Sequence, residues 1–211
     1  MPITLPEGIP KDAKPIITDT SISWEHRAHP GDWQINYKAC MLFAMASWIE
    51  IMFNKEITDN EVIKVFQKRG GEIGVSPFEA HDLAKKAGWF PIKTSGLIYS
   101  NNFDRLLQQP MLAVYKLNRA WRYVGNSGKI KSWGGTGSLN GGLKLPSTHA
   151  VVIIGKHTEP PKKKTWYRWN PKKTVWYDIE NSWGTSWGRN GFAQILDKVH
   201  NVQCRNTFII I

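Results

Sequence analysis

Between residues 40 and 54 the chain reads CMLFAMASWIEIMFN, apolar on nearly every side, which predicts a helix buried all round rather than laid on a surface. Residues 1 to about 32 are rich in proline and polar residues, follow no sustained period, and read as an extended lead-in. Thr58 and Asp59 cap a second helix that runs to about Lys68, turns Val62, Ile63, Val65 and Phe66 inward, and stops at Gly70 and Gly71. Ser76, Pro77 and Glu79 predict a capping box with proline at the first helical position, and Gly88 ends that third helix. A short fourth helix covers 103–108, before Pro110.

The second half changes character. Segments 111–115, 150–154, 174–179, 192–196 and 207–211 are short, apolar and often β-branched, as strands are. A loop rich in Gly, Ser, Trp and Asn fills about 126–147. Helices first and strands second predict an α+β protein with its site between two lobes. The expected organisation is one domain over 1–211: the lead-in 1–32, a helical lobe over about 33–110 and a β lobe over about 111–211. No stretch approaches the ~20 apolar residues of a membrane-spanning helix.

Composition changes this picture little. Apolar residues make up 41% of the 211, enough for a core of this kind. Lysine and arginine outnumber aspartate and glutamate by 28 to 17, a net charge of +11 that favours encounter with acidic partners. Only two cysteines occur, Cys40 and Cys204, so no disulfide framework is implied.

The candidate chemistry begins at Cys40, which opens the apolar helix where free N–H groups and the helix dipole favour a thiolate. Gln34, a side-chain amide donor, stands six residues earlier. His149 follows the Gly-rich loop and directly precedes the apolar run AVVIIG. Asn181 follows a predicted strand, inside IENSWGTSWGRNGF. Each has an ordinary structural reading alone: a small buried cysteine, a structural histidine, a turn asparagine. Their joint occurrence in the order Gln, Cys, His, Asn points to thiol catalysis.

Three segments carry a resemblance to papain and the cathepsins. Residues 34–50, QINYKACMLFAMASWIE, resemble that family's active-site helix; 147–155, STHAVVIIG, its histidine strand; and 181–191, NSWGTSWGRNG, its asparagine motif nearly letter for letter. Weaker agreement at 74–88 and 109–114 extends the likeness from about Trp33 to the C-terminus. The resemblance implies a papain-like two-lobe fold, a helical lobe facing a barrel-like antiparallel β lobe across a cleft. It implies that Cys40 attacks as thiolate paired with an imidazolium at His149, that Asn181 orients the imidazole, and that Trp183 shields their bond. Gln34 and the Cys40 N–H would then form an oxyanion hole, one such donor contributing about 3 kcal/mol in the transition state. Gly74, Val75 and Ala150 would meet the substrate, with Ser76 and Ile209 near the specificity pocket. No cofactor or metal is implied.

The departures are informative. Tyr37 stands where the family places a half-cystine, Met41 where it places tryptophan, and Cys204 near another half-cystine has no partner, so it is expected to be a buried free thiol. Only 39 residues precede Cys40, short of the family's inhibitory propeptide. These losses suit a protein active in a reducing cytosol, such as a delivered effector or toxin restrained by an acidic inhibitor protein. Residues 156–178 exceed the family's short turn, and KKKTWYRWNPKKTVWYD within them predicts a basic, aromatic hairpin. The expected function is a cysteine endopeptidase acting on protein or peptide. The alternative is a deamidase or transglutaminase-like toxin with the same triad; a nucleic-acid-binding module ranks lower, since charge and hairpin alone support it.

Overall fold

The computed structural model describes residues 8–29, 37–94, 96–117, 119–122, 124–131, 148–160 and 173–211. Two short strands, β1 (Ile16–Thr18) and β2 (Ser21–Ser23), form a hairpin inside the stretch read as an extended lead-in. Helix α1 (Cys40–Phe53) follows a 3-10 turn at Tyr37–Ala39 and is the axis of the first lobe. Twelve of its fourteen residues are buried, which is why its sequence shows no polar face. Asn54 ends it in the left-handed conformation (φ 52°), its N–H returning to Glu50 O.

Helix α2 (Asp59–Lys68) has the full capping box: Thr58 accepts from Glu61 N–H and Glu61 accepts from Thr58 N–H. Helix α3 (Pro77–Lys86) has only half of the predicted one. Ser76 Oγ accepts from Glu79 N–H, but the Glu79 carboxylate is taken by the Arg69 guanidinium, a charge-assisted pair stronger than the reciprocal cap bond. The predicted fourth helix is a 3-10 segment, Phe103–Leu107.

The strands are β3 (Leu97–Tyr99), β4 (Met111–Lys116), β5 (Lys129–Ile130), β6 (Thr148–Glu159), β7 (Thr174–Glu180), β8 (Phe192–Leu196) and β9 (Cys204–Ile210), with α4 (Arg119–Arg122) and α5 (Asp197–Gln203) between them. They form one sheet in the order β3-β9-β4-β6-β7-β8-β5, with β2 added to β6. Every named pairing is antiparallel except β5 with β8. The fold is thus α+β, with helices in the first half and the sheet dominating the second.

Strand β6 explains its own apolar sequence. Ala150, Val152 and Ile154 face the core built around α1, whereas Val151 and Ile153 face a second core with Tyr115, Trp121, Ile179 and Ile195. A strand buried on both faces needs a continuous apolar run, not an alternating one. Strands β6 and β7 pair from Val152↔Glu180 out to Glu159↔Thr174. The basic stretch beyond them, at 161–172, lies outside the described residues, as does Gln34.

Candidate active site

Cys40 is the first residue of α1 and lies half-buried at the edge of the first core. Backbone amides at Ala150, Met41 and Cys40 itself lie where they favour its thiolate. Two of these amides belong to the helix start, whose first N–H groups have no carbonyl partner within the helix. The third belongs to β6, in the residue next to His149. Packing of α1 on β6 therefore brings the thiol and the imidazole segment together.

His149 is buried, and its Nε2 donates to Asn181 Oδ1 at 2.6 Å. An amide oxygen only accepts, so the proton sits on Nε2 and the neutral ring keeps a lone pair on Nδ1. That Nδ1 is itself buried with no hydrogen-bond partner among the described residues, as are Asn181 Nδ2 and Trp183 Nε1. Three unpartnered polar atoms at one place are uncommon in a folded interior and mark a site rather than a packed core.

The asparagine loop is built to hold Asn181. Its N–H donates to Gly191 O at 3.0 Å, while Gly191 N–H donates to Trp187 O and Arg189 N–H to Phe192 O, both at 2.8 Å. Gly188 makes the closure possible: at φ +60° any Cβ would lie 2.3 Å from Phe192 O. This spacing of glycines in NSWGTSWGRNG is a backbone requirement as much as a motif.

Aromatic rings enclose the imidazole. Trp183 lies over it with centroids 4.7 Å apart at 34°, and Trp121 meets it edge-on at 6.5 Å. Trp187 stacks on Trp121 at 6.3 Å and donates its indole N–H to Trp121 O, while Trp121 Nε1 donates to Gln203 Oε1. The sequence singled out Trp183 but not Trp121 or Trp187. Trp187 at least lies in the asparagine motif; Trp121, in a four-residue helix far from any motif, carried no signal.

Burial dominates the electrostatics. It pushes the Cys40 thiol up from its usual range, against the backbone amides at Ala150, Met41 and Cys40 that lower it. It also lowers His149 to about 4, with the Asn181 bond acting in the opposite direction. Both directions oppose the separate charges of the expected thiolate and imidazolium, because a low-dielectric surround penalises each ion alone. Cys204 is a free thiol, half-buried rather than buried, and burial lifts it to about 12.

Of the expected substrate residues, Ala150 is buried, Val75 is half-buried against the first core and Gly74 is exposed. Ser76 caps α3, and Ile209 is buried in the second core. No group of three or more metal-binding side chains occurs among the described residues. Nor is any helix among them long and apolar enough to cross a membrane.

The model of the papain family cysteine proteases matches residues 136–209, which include His149 and Asn181. No curated protein matches the chain. Among solved structures, bromelain from Ananas comosus is 17% identical with a TM-score of 0.57, over 92% of this chain and 99% of its own. The Carica candamarcensis protease CMS1MS2 is 19% identical with a TM-score of 0.56, over 92% and 98%. Digestive procathepsin L 3 from the Tenebrio molitor larval midgut is 12% identical with a TM-score of 0.63, over 98% and 73%. Over nearly its whole length the chain thus shares the fold of papain-like cysteine proteases, and residues 136–209 match the model of that family.

Proposed function

We propose that the chain is an endopeptidase in which Cys40 attacks the carbonyl carbon of a peptide bond and His149 carries the proton. One observation carries this reading: the thiol at the start of α1 packs against the core that includes Ala150 of β6, and the adjacent His149 has its Nε2 held 2.6 Å from Asn181 Oδ1. That leaves Nδ1 as the ring atom with no partner among the described residues, ready to take a proton.

Burial disfavours each charge alone, so a thiolate at Cys40 and an imidazolium at His149 would be favoured only together. As sulfur bonds to the carbonyl carbon, its proton passes to Nδ1 and the carbonyl oxygen takes the negative charge. His149 then gives that proton to the leaving amine as the C–N bond breaks, leaving a thioester on Cys40. Water attacks the thioester, losing a proton to His149, and the thiol is restored as the C–S bond breaks. Asn181 keeps the ring in the tautomer that these transfers need. Trp183 and Trp121 keep water from that bond. Gln34 and the Cys40 N–H are assigned to the oxyanion, and Gly74, Val75 and Ala150 to the substrate.

The net charge of +11 and two free thiols support a setting in a reducing cytosol, as an effector or toxin held in check by an acidic inhibitor protein. The test is to incubate the protein with a denatured substrate and map new N-termini, with and without E64, the inhibitor bound in the bromelain and CMS1MS2 structures. New termini that E64 prevents are expected. Glutamine converted to glutamate without chain cleavage would assign the same groups to deamidation instead.

A further inference from the structure

Three successive carbonyls in the connection between α2 and α3 are held by cationic side chains. Lys38 Nζ donates to Glu72 O. Arg69 Nη1 donates to Ile73 O at 2.6 Å, and Nη2 to Gly74 O at 3.4 Å. The same guanidinium grips Glu79, Nε to Oε1 at 2.5 Å and Nη2 to Oε2 at 3.0 Å. Arg69 closes α2, Glu79 lies in the first turn of α3, and Lys38 is two residues before Cys40. One planar fork thus joins two helices and the loop between them, a geometry only arginine offers.

Val75 follows directly. Its side chain packs against the core that Cys40 and Ala150 also border, while its own N–H and C=O take no hydrogen-bond partner among the described residues. In a trans peptide the Gly74 C=O and the Val75 N–H point to opposite sides. Drawing Gly74 O towards Arg69 therefore turns the Val75 N–H away from it. A segment with free backbone groups, held rigid at the border of the core that Cys40 also borders, is suited to pair with an extended chain as an added strand.

We propose, resting on the peptidase reading, that Arg69 is a positioning residue: its fork sets the Val75 backbone to bind an extended peptide, and Lys38 ties that loop to the nucleophile's own segment. The Arg69 guanidinium also holds the Glu79 carboxyl below the ordinary range, so the pair stays ionised at neutral pH. Arg69 touches no reacting atom, so its removal should weaken binding and leave the chemical step alone.

The test compares wild type with Arg69→Ala and Arg69→Lys, using a short peptide substrate and iodoacetamide, which reacts with Cys40 but makes no backbone contacts. For Arg69→Ala, KM should rise about tenfold with kcat within about twofold, the pattern of lost ground-state and transition-state binding alike. The iodoacetamide rate at Cys40 should not change. Lysine, which keeps the charge but not the fork, should not restore KM. If Arg69→Ala does not fold, Glu79→Gln should raise KM about threefold by the same route. An unchanged KM in a folded variant overturns the proposal, and so does a joint fall of kcat and the iodoacetamide rate, which would mean general disorder of the cleft. A wild type that cleaves no peptide at all instead removes the peptidase reading, and this inference with it.

Discussion

For a single side chain such as His149, burial and hydrogen bonding pull in opposite directions, and burial wins. Its imidazole is lowered to about 4 although Asn181 favours the charged form. In the proposed mechanism Asn181 therefore serves to choose the tautomer and the ring angle. Replacing His149 with alanine should cost the whole proton-transfer contribution, about 10²- to 10⁴-fold in kcat. Replacing Asn181 with alanine should cost less, because the ring stays packed between Trp183 and Trp121. Steady-state kinetics on the two folded variants decide this. A larger loss in the asparagine variant would reverse the two roles.

Among elements, the loop that carries Asn181 and the cap of α2 make a useful contrast. Gly188→Ala places a Cβ 2.3 Å from Phe192 O at a positive φ, strain that costs roughly 1–3 kcal/mol and moves Asn181. Thr58→Ala removes a capping box at a cost of about 1 kcal/mol, in a helix that carries none of Cys40, His149 and Asn181. Both should lower Tm, but only Gly188→Ala should lower kcat per folded molecule. Equal kcat in the two variants would show that the loop does not hold the site.

The same contrast explains what could be read from the sequence. Cys40, His149 and Asn181 stand in segments whose local pattern is demanding: an all-apolar helix, a strand buried on both faces, a glycine-closed loop. The structure joins His149 to Asn181 directly and packs Cys40 against the core that includes Ala150, the residue after His149. Arg69 and Trp121 do their work through backbone carbonyls and ring contacts far away in sequence, and a cation or a tryptophan in a short helix announces neither. The β1–β2 hairpin escaped for another reason: its three-residue strands, IIT and SIS, are exposed or half-buried, so no apolar alternation marks them. The half-formed cap of α3 shows a local motif losing its carboxylate to a longer-range partner.

In the molecule as a whole, buried neutral histidines set the response to acid. His149 and His200 are each lowered to about 4 by burial, and His81 is lowered by the same cause. In the unfolded chain these rings take protons near pH 6.5, while in the folded chain they do not. Folding therefore loses stability as pH falls from about 6.5 to about 4, below which the folded rings protonate as well. For His149 and His200 the full difference is roughly 3 kcal/mol each, a large part of the 5–15 kcal/mol typical of a whole domain. The lowered carboxyls of Glu61 and Glu79 extend the loss to still lower pH. Tm measured from pH 7.5 to 4.5 should fall steadily, and acid inactivation should track unfolding rather than protonation of the base. A flat Tm over that range would mean that the rings are hydrated or charged in the folded state.

The most direct measurement of the central claim is rapid acid quench of excess enzyme mixed with a peptide substrate, followed by mass spectrometry of the fragment containing Cys40. The mechanism requires a thioester there, carrying the acyl half of the substrate and appearing before the second product is released. Cys40→Ala should form no adduct and release no product while keeping the wild-type Tm. Undiminished cleavage by Cys40→Ala, or an adduct confined to Cys204, would contradict it.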